Sequence, residues 1–566
     1  MKTLQIFVIA SIAAVLSLVT SCGPSPESDP TSEGKSKRPT PPKDALVITF
    51  TYGSEKEQWI TEATKSFNAA KHKRSDGKDI FVDAIPMGSG ECIREILAAE
   101  RETHITSPAS EAFITLGNAD SEVKLGKPLV SKTKALVLSP VIIAMWKPMA
   151  EALGWPDKPI GWQQIHEMAT NPEGWASVGH PEWGGFRFGH THPEFSNSGL
   201  ISLLAESYAA TGKRTPLTTE DVAKPETAKY LREIEGAVVH YGQSTGFFGK
   251  KMFDGGPSYL SAAVLYENMI IEGSQRDDLP FPVVAIYPKE GTFWSDHPVG
   301  IVERDYVTPA HQEAAKKYID FLLSNAQQQA AMATGFRPAD PAVALAAPID
   351  LAHNVDPAQP QTTLPVPEAN VIREVMNLWR ANKKQAHVAL VLDVSGSMQE
   401  DKKMENAREG ALALLDLLDD RDHFTLIPFN DSPKVVADNL EVGPNRSKLR
   451  SQISGLFANG GTALYDATAM AHGKLASFIG DNARRITSVV VLSDGDNTAG
   501  QTTLPQLSAR IGFNETNAGI RVFTIGYGKN ASDEVLGEIA EITRAKYYKG
   551  STTNIREIFR EIATFF

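Results

Sequence analysis

Residues 387–400 read HVALVLDVSGSMQE. The apolar run 388–392 leads into Asp393, and Ser395 and Ser397 follow at alternate positions with Gly396 between them. A strand this apolar belongs inside a fold, yet it closes on one carboxylate and two hydroxyls facing the same way. Few architectures bury a strand along its length and leave its C-terminal end open for chemistry, and an open α/β sheet is one of them. The text after residue 384 agrees with that choice. Strands are legible in VALVLD, HFTLIPF, SVVVLSD and IRVFTIGYG. Helices are legible in KKMENAREGALALLDLL, ALYDATAMAHGKLASF, SDEVLGEIAEITR and TNIREIFREIATFF. In the first helix Met404, Ala407, Ala411, Leu414, Leu415 and Leu418 fall on one face. The alternation predicts a doubly wound sheet with its site at the C-terminal strand ends.

One DxSxS occurs by chance in loops, but two further pieces stand in order behind it. GGTALYDA places Thr462 just before a helix, and SVVVLSDGDNT places Asp494 at the end of a buried strand. With these three motifs, residues 384–566 resemble the von Willebrand factor type A (VWA) family and its metal-ion-dependent adhesion site (MIDAS). The resemblance implies a doubly wound (Rossmann-like) domain in which Asp393, Ser395 and Ser397 lie close to Mg2+ (or Mn2+ or Ca2+). Thr462 and Asp494 would reach the ion directly or through water. It also implies an open position for an Asp or Glu carboxylate offered by a protein partner. The physical sense is independent of the name. Magnesium wants six oxygen ligands, two carboxylates neutralise it, and hydroxyls add field without charge. The plainer reading is a metal that only staples the loops together. Hydrolysis is not expected, because phosphoryl transfer needs a second carboxylate for the proton, and the residue two positions on is Ser395.

Residues 45–343 also alternate, with ALVITFTY and DIFVDAIPMG as strands and SEKEQWITEATKSFNAAKH and GECIREILAAER as helices. HQEAAKKYIDFLLSNAQQQAAM closes the region as one helix. Together with TYGSEKEQW, GHTHPEFSNSGLISLLAESY and AAVLYEN, this resembles the extracellular solute-binding proteins of ABC importers, which implies a two-lobed periplasmic-binding-protein-like domain. Ser54, Ser89, Ser196, Asn197 and Ser198 stand at expected helix starts, where free N–H groups hold anions or carboxylates. Ordinary N-capping is the plainer role for such residues. Tyr266 and Glu267 end the strand AAVLYE and would face the cleft on the family pattern.

Two other patterns compete for attention. GHTHPE sets His190, His192 and Glu194 at alternate positions, a zinc-like spacing on a strand, but Pro193 disturbs that strand and no second cluster completes four ligands. GQSTG, residues 242–246, matches the nucleophile elbow G-x-S-x-G. The helical spacing of Leu231, Ile234, Val238 and Tyr241 before it argues against an elbow, which needs a buried strand there. Ser244 is therefore expected to be a loop or cleft residue, and the chain a binding protein rather than an enzyme.

The remaining segments set the context. At 566 residues the chain exceeds one hydrophobic core. Its formal net charge of -12 disfavours nucleic acid as a partner. Residues 1–21 have the flanks and length of a secretion signal, and Val19-Thr20-Ser21-Cys22 resembles the bacterial lipobox, implying lipidation of Cys22 and an envelope membrane anchor. That leaves Cys92 as the one other thiol and no intrachain disulfide. Residues 22–44 read as a solvated tether, and residues 344–383 as a proline-rich linker and short helix. The whole predicts a membrane-anchored envelope lipoprotein that binds a small solute in one half and a protein partner in the other. The alternative is the solute receptor of an ABC importer, with the C-terminal domain as its docking module.

Overall fold

A computed structural model of the protein describes residues 41–479, 485–512, 520–528, 531–552 and 554–566. The leader, Cys22 and nearly all of the expected tether lie outside the described residues. The apolar run ending in Asp393 is strand Ala386–Asp393, buried at every position. It pairs in parallel with His423–Phe429 on one edge and with Ile486–Ser493 on the other. Because successive side chains point to opposite faces, Val388, Leu390 and Leu392 join one core while Ala389 and Val391 join another. Helices Lys403–Leu417 and Ile555–Ala563 cover the first face, and Leu464–Ile479 and Asp533–Ile542 the second. The first two helices approach closely at Gly410, where an added Cβ would lie 2.4 Å from the Phe559 ring.

The six strands lie in the order Ala437–Glu441, His423–Phe429, Ala386–Asp393, Ile486–Ser493, Arg521–Tyr527, Tyr547–Gly550. All pair in parallel except the first, an antiparallel edge. The chain winds outward from Ala386–Asp393 to one edge, then returns beside it and winds to the other. The reversal falls between Ala386–Asp393 and Ile486–Ser493, where an open α/β sheet leaves a crevice at its carboxyl ends.

The larger N-terminal part has two sheets. The first runs in the order Ile80–Met87, Leu46–Gly53, Ile105–Ser107, Pro298–Ile301, Thr133–Ala135. The second runs Trp294–Ser295, Val137–Trp146, Ala262–Tyr266, Phe188–Thr191, Val238–Gly242, with Val283–Ile286 and Arg337–Pro338 also paired to Val137–Trp146. Leu136 alone separates Thr133–Ala135 in one sheet from Val137–Trp146 in the other. The chain returns to the first sheet at Pro298–Ile301, so the two lobes exchange strands. The helix expected over HQEAAKKYIDFLLSNAQQQAAM is two helices, Pro309–Leu322 and Asn325–Ala333. The break falls at Ser324, whose carbonyl accepts from Gln327 and Gln328 N–H to start a new turn.

Residues 344–368 form a strap along the second lobe rather than a loose joint. Ile349, Val355 and Leu364 are buried. Leu364 N donates to Thr292 O at 2.8 Å, and Tyr208 OH to Pro365 O at 2.7 Å. Helix Ala369–Asn382 then packs on Asn197–Thr211 and Pro225–Glu235. The C-terminal sheet docks on the second lobe by the N-terminal ends of its strands. Lys384 Nζ donates to Val238 O at 2.8 Å, and Tyr241 N to Phe565 O at 3.3 Å. The strand tips that carry Asp393 and Asp494 therefore point away from that contact. Among the described residues no helix is long and apolar enough to cross a membrane.

Candidate functional site

Three segments converge at the reversal of the C-terminal sheet. Asp393 is buried, and both its oxygens are held: Ser395 N donates to Oδ1 at 2.8 Å and Ser493 Oγ to Oδ2 at 2.6 Å. Burial raises the Asp393 carboxyl above its ordinary range, and the Asp494 charge adds to that. Ser395 Oγ and Ser397 Oγ are 3.0 Å apart, and Ser397 Oγ donates to Asp494 Oδ1 at 2.7 Å. Thr462 sits on a loop pinned to the same motif, with Asn459 N donating to Val394 O at 2.7 Å and Gly396 N to Gly460 O at 2.9 Å. Gly460 has φ +79, a backbone that favours glycine, and a Cβ there would lie 2.6 Å from the Asp431 carboxylate.

The sequence reading missed Lys403. From the first turn of Lys403–Leu417 its Nζ donates to Asp494 Oδ2 at 2.6 Å, with the side chain 8% exposed. The signal was its place, six residues after Ser397 at the start of the next helix. Its ammonium offsets the Asp494 charge, so an arriving cation meets a less negative donor set than two bare carboxylates. The donor set itself, two carboxylates with hydroxyls and no nitrogen or sulfur, fits a hard cation such as Mg2+, Mn2+ or Ca2+.

The second polar centre is the seam between the lobes. Ser54 Oγ donates to Ser244 Oγ at 2.8 Å across it, and Gly246 N donates back to Ser54 Oγ at 3.1 Å. Ser110 Oγ donates to Asn197 Oδ1 at 2.6 Å, and Asn197 Nδ2 donates to Tyr266 OH at 2.8 Å. Ser196 Oγ meets Thr245 Oγ1 at 3.1 Å, Thr245 Oγ1 donates to Ser198 Oγ at 3.0 Å, and Ser89 Oγ accepts from Ala109 N at 2.9 Å. The lobes touch so closely that a Cβ on Gly90 would lie 1.9 Å from Glu194 O. Simple N-capping does not describe these hydroxyls: Ser196 occupies an N-cap without a side-chain cap bond, and Ser54 and Ser89 are first helical residues.

An ionic group beside the seam was also missed. Lys56 Nζ lies 2.6 Å from Glu55 Oε1 and 3.1 Å from His297 Nδ1, all buried. Burial alone would raise the Glu55 carboxyl, but Lys56 and His297 outweigh it and hold it at about 2. Burial and then Lys56 depress the His297 imidazole to about 4. His297 Nε2, Asn268 Oδ1 and Ser139 Oγ are buried without a hydrogen-bond partner. These residues are scattered over the sequence with no shared motif.

Two expectations change, for Glu267 and for the turn at Ser244, and the histidine pattern set aside above finds other partners. Glu267 is no free cleft ligand: Arg337 Nε and Nη2 each donate to it at 2.7 Å, and Tyr287 OH donates as well. His190, His192 and Glu194 do not converge, since Glu194 pairs with Arg380 on Ala369–Asn382. His190 Nε2 instead lies 2.9 Å from Glu235 Oε1, with Glu206 in the same buried group. Burial and then Glu235 push the Glu206 carboxyl up to about 8, so it is protonated at neutral pH beside the His190–Glu235 pair. Finally, Val238–Gly242 is a strand and Thr245–Gly255 a helix, so Ser244 does stand at a strand-to-helix turn. The helical spacing of Val238 and Tyr241 with Leu231 and Ile234 was coincidence. Ser244 is nevertheless buried, and its partner is the Ser54 hydroxyl rather than an imidazole.

Comparison with known proteins follows the same division. A family model described as bacterial extracellular solute-binding protein matches residues 48–337, just over half of the chain. A von Willebrand factor type A domain model matches residues 387–561. The chain is 32% identical over 163 residues to inter-alpha-trypsin inhibitor heavy chain H4 of Homo sapiens, covering 27% of this chain and 17% of that one. It is 30% identical over 154 residues to an uncharacterized protein of Synechocystis, covering 27% of this chain and 35% of that one. The chain thus spans about a third or less of these curated relatives. Among solved structures, a periplasmic thiamin binding protein is 14% identical, with TM-score 0.43, covering 61% of this chain and 99% of that one. A von Willebrand factor type A structure from Catenulispora acidiphila is 22% identical, with TM-score 0.29, covering 32% and 42%.

Proposed function

The chain belongs to the bacterial extracellular solute-binding proteins, and from that premise we propose a two-ligand binding protein of the cell envelope. The lobe seam closes on a small polar solute. The VWA strand tips hold a divalent cation through Asp393, Ser395, Ser397, Asp494 and Thr462, and that cation takes an Asp or Glu carboxylate from a partner protein. Acylated Cys22 tethers both to a membrane.

One observation carries this reading. The polar side chains of Asp393, Ser395, Ser397 and Asp494 meet at the open end of a sheet whose other end is covered by the second lobe. A site facing away from its own chain suits a macromolecular partner. At the seam, the unpartnered atoms of His297, Asn268 and Ser139 favour a polar solute, since each would gain from a hydrogen bond worth about 1–3 kcal/mol against burial without one.

Titration calorimetry of Mg2+ and Mn2+ into chelator-treated full-length protein tests the cation. Saturable uptake at one site is expected, and none with either metal removes the adhesive half of the reading. Mass spectrometry of membrane-extracted protein tests the tether, with a diacylglycerol mass on Cys22 expected and loss of membrane association in Cys22→Ala. An unmodified Cys22 in extracted protein removes the anchor.

A further inference from the structure

Where the VWA sheet meets the second lobe there is a cavity of about 360 Å³. Five cationic side chains from separate segments line it: Arg187 from the lobe, and Lys384, Arg485, Arg521 and Arg544 from the starts of VWA strands or the turns before them. No Asp or Glu is among the described residues that line it. In a chain of net charge -12 this concentration of positive charge stands out.

The fixed partners of three of these groups are neutral. Arg187 Nη1 donates to Ser258 O at 3.0 Å, Lys384 Nζ donates to Val238 O, and the Arg521 guanidinium lies 4.8 Å over the Tyr259 ring. Such contacts occupy donors but leave charge uncompensated. Burial, and then the Arg544 and Arg521 charges, depress the Arg187 guanidinium from its ordinary value. Burial likewise depresses Arg485 against the Asp422 and Glu441 charges, and brings Lys384 down to about 8 although Glu235 opposes it. The rest of the lining mixes an aromatic patch, Phe186, Phe523 and Phe565 beside Tyr259, with the polar side chains of His240, Ser258, Thr487, Ser488 and Thr543. The volume is within the range of roughly 300–1,000 Å³ typical of small-molecule sites.

We propose that this cavity is a second ligand site, taking a small phosphorylated molecule whose phosphate meets the arginine forks and whose body lies against the aromatic wall. Planar guanidinium groups pair with phosphate oxygens in a bidentate manner, and an anion here relieves the repulsion among like charges. Because the lining comes from both halves, occupancy fastens the VWA domain to the lobe. The site is separate from the lobe seam and from the cation site.

Inorganic phosphate and AMP are the probes, added to full-length protein in chelator so that the strand tips take no part. Calorimetry and thermal melting should show saturable binding, weakened by salt. AMP binding about tenfold or more tighter than phosphate assigns the body to the aromatic wall, and equal affinity supports the anion site while removing that role for the wall. Arg187→Gln with Arg521→Gln should weaken binding at least about thirtyfold. Without anion that variant should melt at or above wild type, because two like charges have gone, which a merely structural pair of arginines would not do. Val239→Trp, which fills the cavity and leaves the charges, should also lose binding and serves if the double variant fails to fold. Absence of a saturable response to either probe, or full retention of it in Val239→Trp, overturns the proposal.

Discussion

The strand tips around Asp393 and the lobe seam around Asn197 are both polar, and they are built in opposite ways. The first draws Asp393, Ser395 and Ser397 from a single turn, and its donors lie at the crest of a sheet. The second draws single side chains from both lobes: Ser54 meets Ser244 and Ser110 meets Asn197 only because the lobes touch, while Ser196 and Tyr266 extend the network within the second lobe. A site whose segments all belong to one sheet exists whenever that sheet is folded. A site made by two lobes exists only while they are together, so its hydrogen bonds also report closure.

The largest effect that could break this contrast concerns Glu267. Arg337→Met leaves a fully buried carboxylate without its bidentate partner, which costs about 3–5 kcal/mol. Urea denaturation should show that loss, and a normal midpoint with altered solute binding would return Glu267 to the cleft. Next, Asp393→Ala should lower Mg2+ affinity beyond the ~10–100-fold that loss of an outer-shell partner causes, while small-angle scattering shows unchanged lobes. A change in lobe closure would mean that the two centres are not independent. Asn197→Ala reverses the test: it strands Ser110 Oγ and removes one donor to Tyr266 OH, costing about 1–3 kcal/mol in the two-lobed part, with Mg2+ titration unaltered.

The last effect is read as a slope rather than a single shift. The Glu206 carboxyl rises from an ordinary 4.5 to about 8 in the fold, by burial first and then the Glu235 charge. Between those values the folded protein keeps a proton that the unfolded chain has released, so stability falls as pH rises from about 4.5 to about 8 and levels off above. Glu206→Gln should flatten most of that decline in urea midpoints measured across the interval. His190, also raised, adds a residual slope of the same sign.

How much the sequence disclosed follows from the same contrast. Strands Ala386–Asp393, His423–Phe429 and Ile486–Ser493 were legible because a buried strand needs an unbroken apolar run. Strands Ala437–Glu441 and Tyr547–Gly550, at the two edges of the sheet, were not, since an edge can be short and polar. Val238–Gly242 was obscured because five residues cannot separate a period of 2 from 3.6. Lys403 sits in an ordinary helix and gains meaning only once Asp494 is beside it. Ser54 and Asn197 were found by their places at helix starts, but the partners they face, Ser244 and Ser110, are distant in the chain and share no spacing with them.

The docking of the VWA sheet by its strand beginnings has a mechanical consequence. Under the proposed function, a partner gripping the tips would pull along the axis of Ala386–Asp393, whose eight residues span roughly 26 Å. Tension in that direction shears the ladders to His423–Phe429 and Ile486–Ser493, loading their rungs together instead of unzipping them singly. The sheet is thus oriented as a tie rod, with the pull entering at one end and leaving through the lobe at the other.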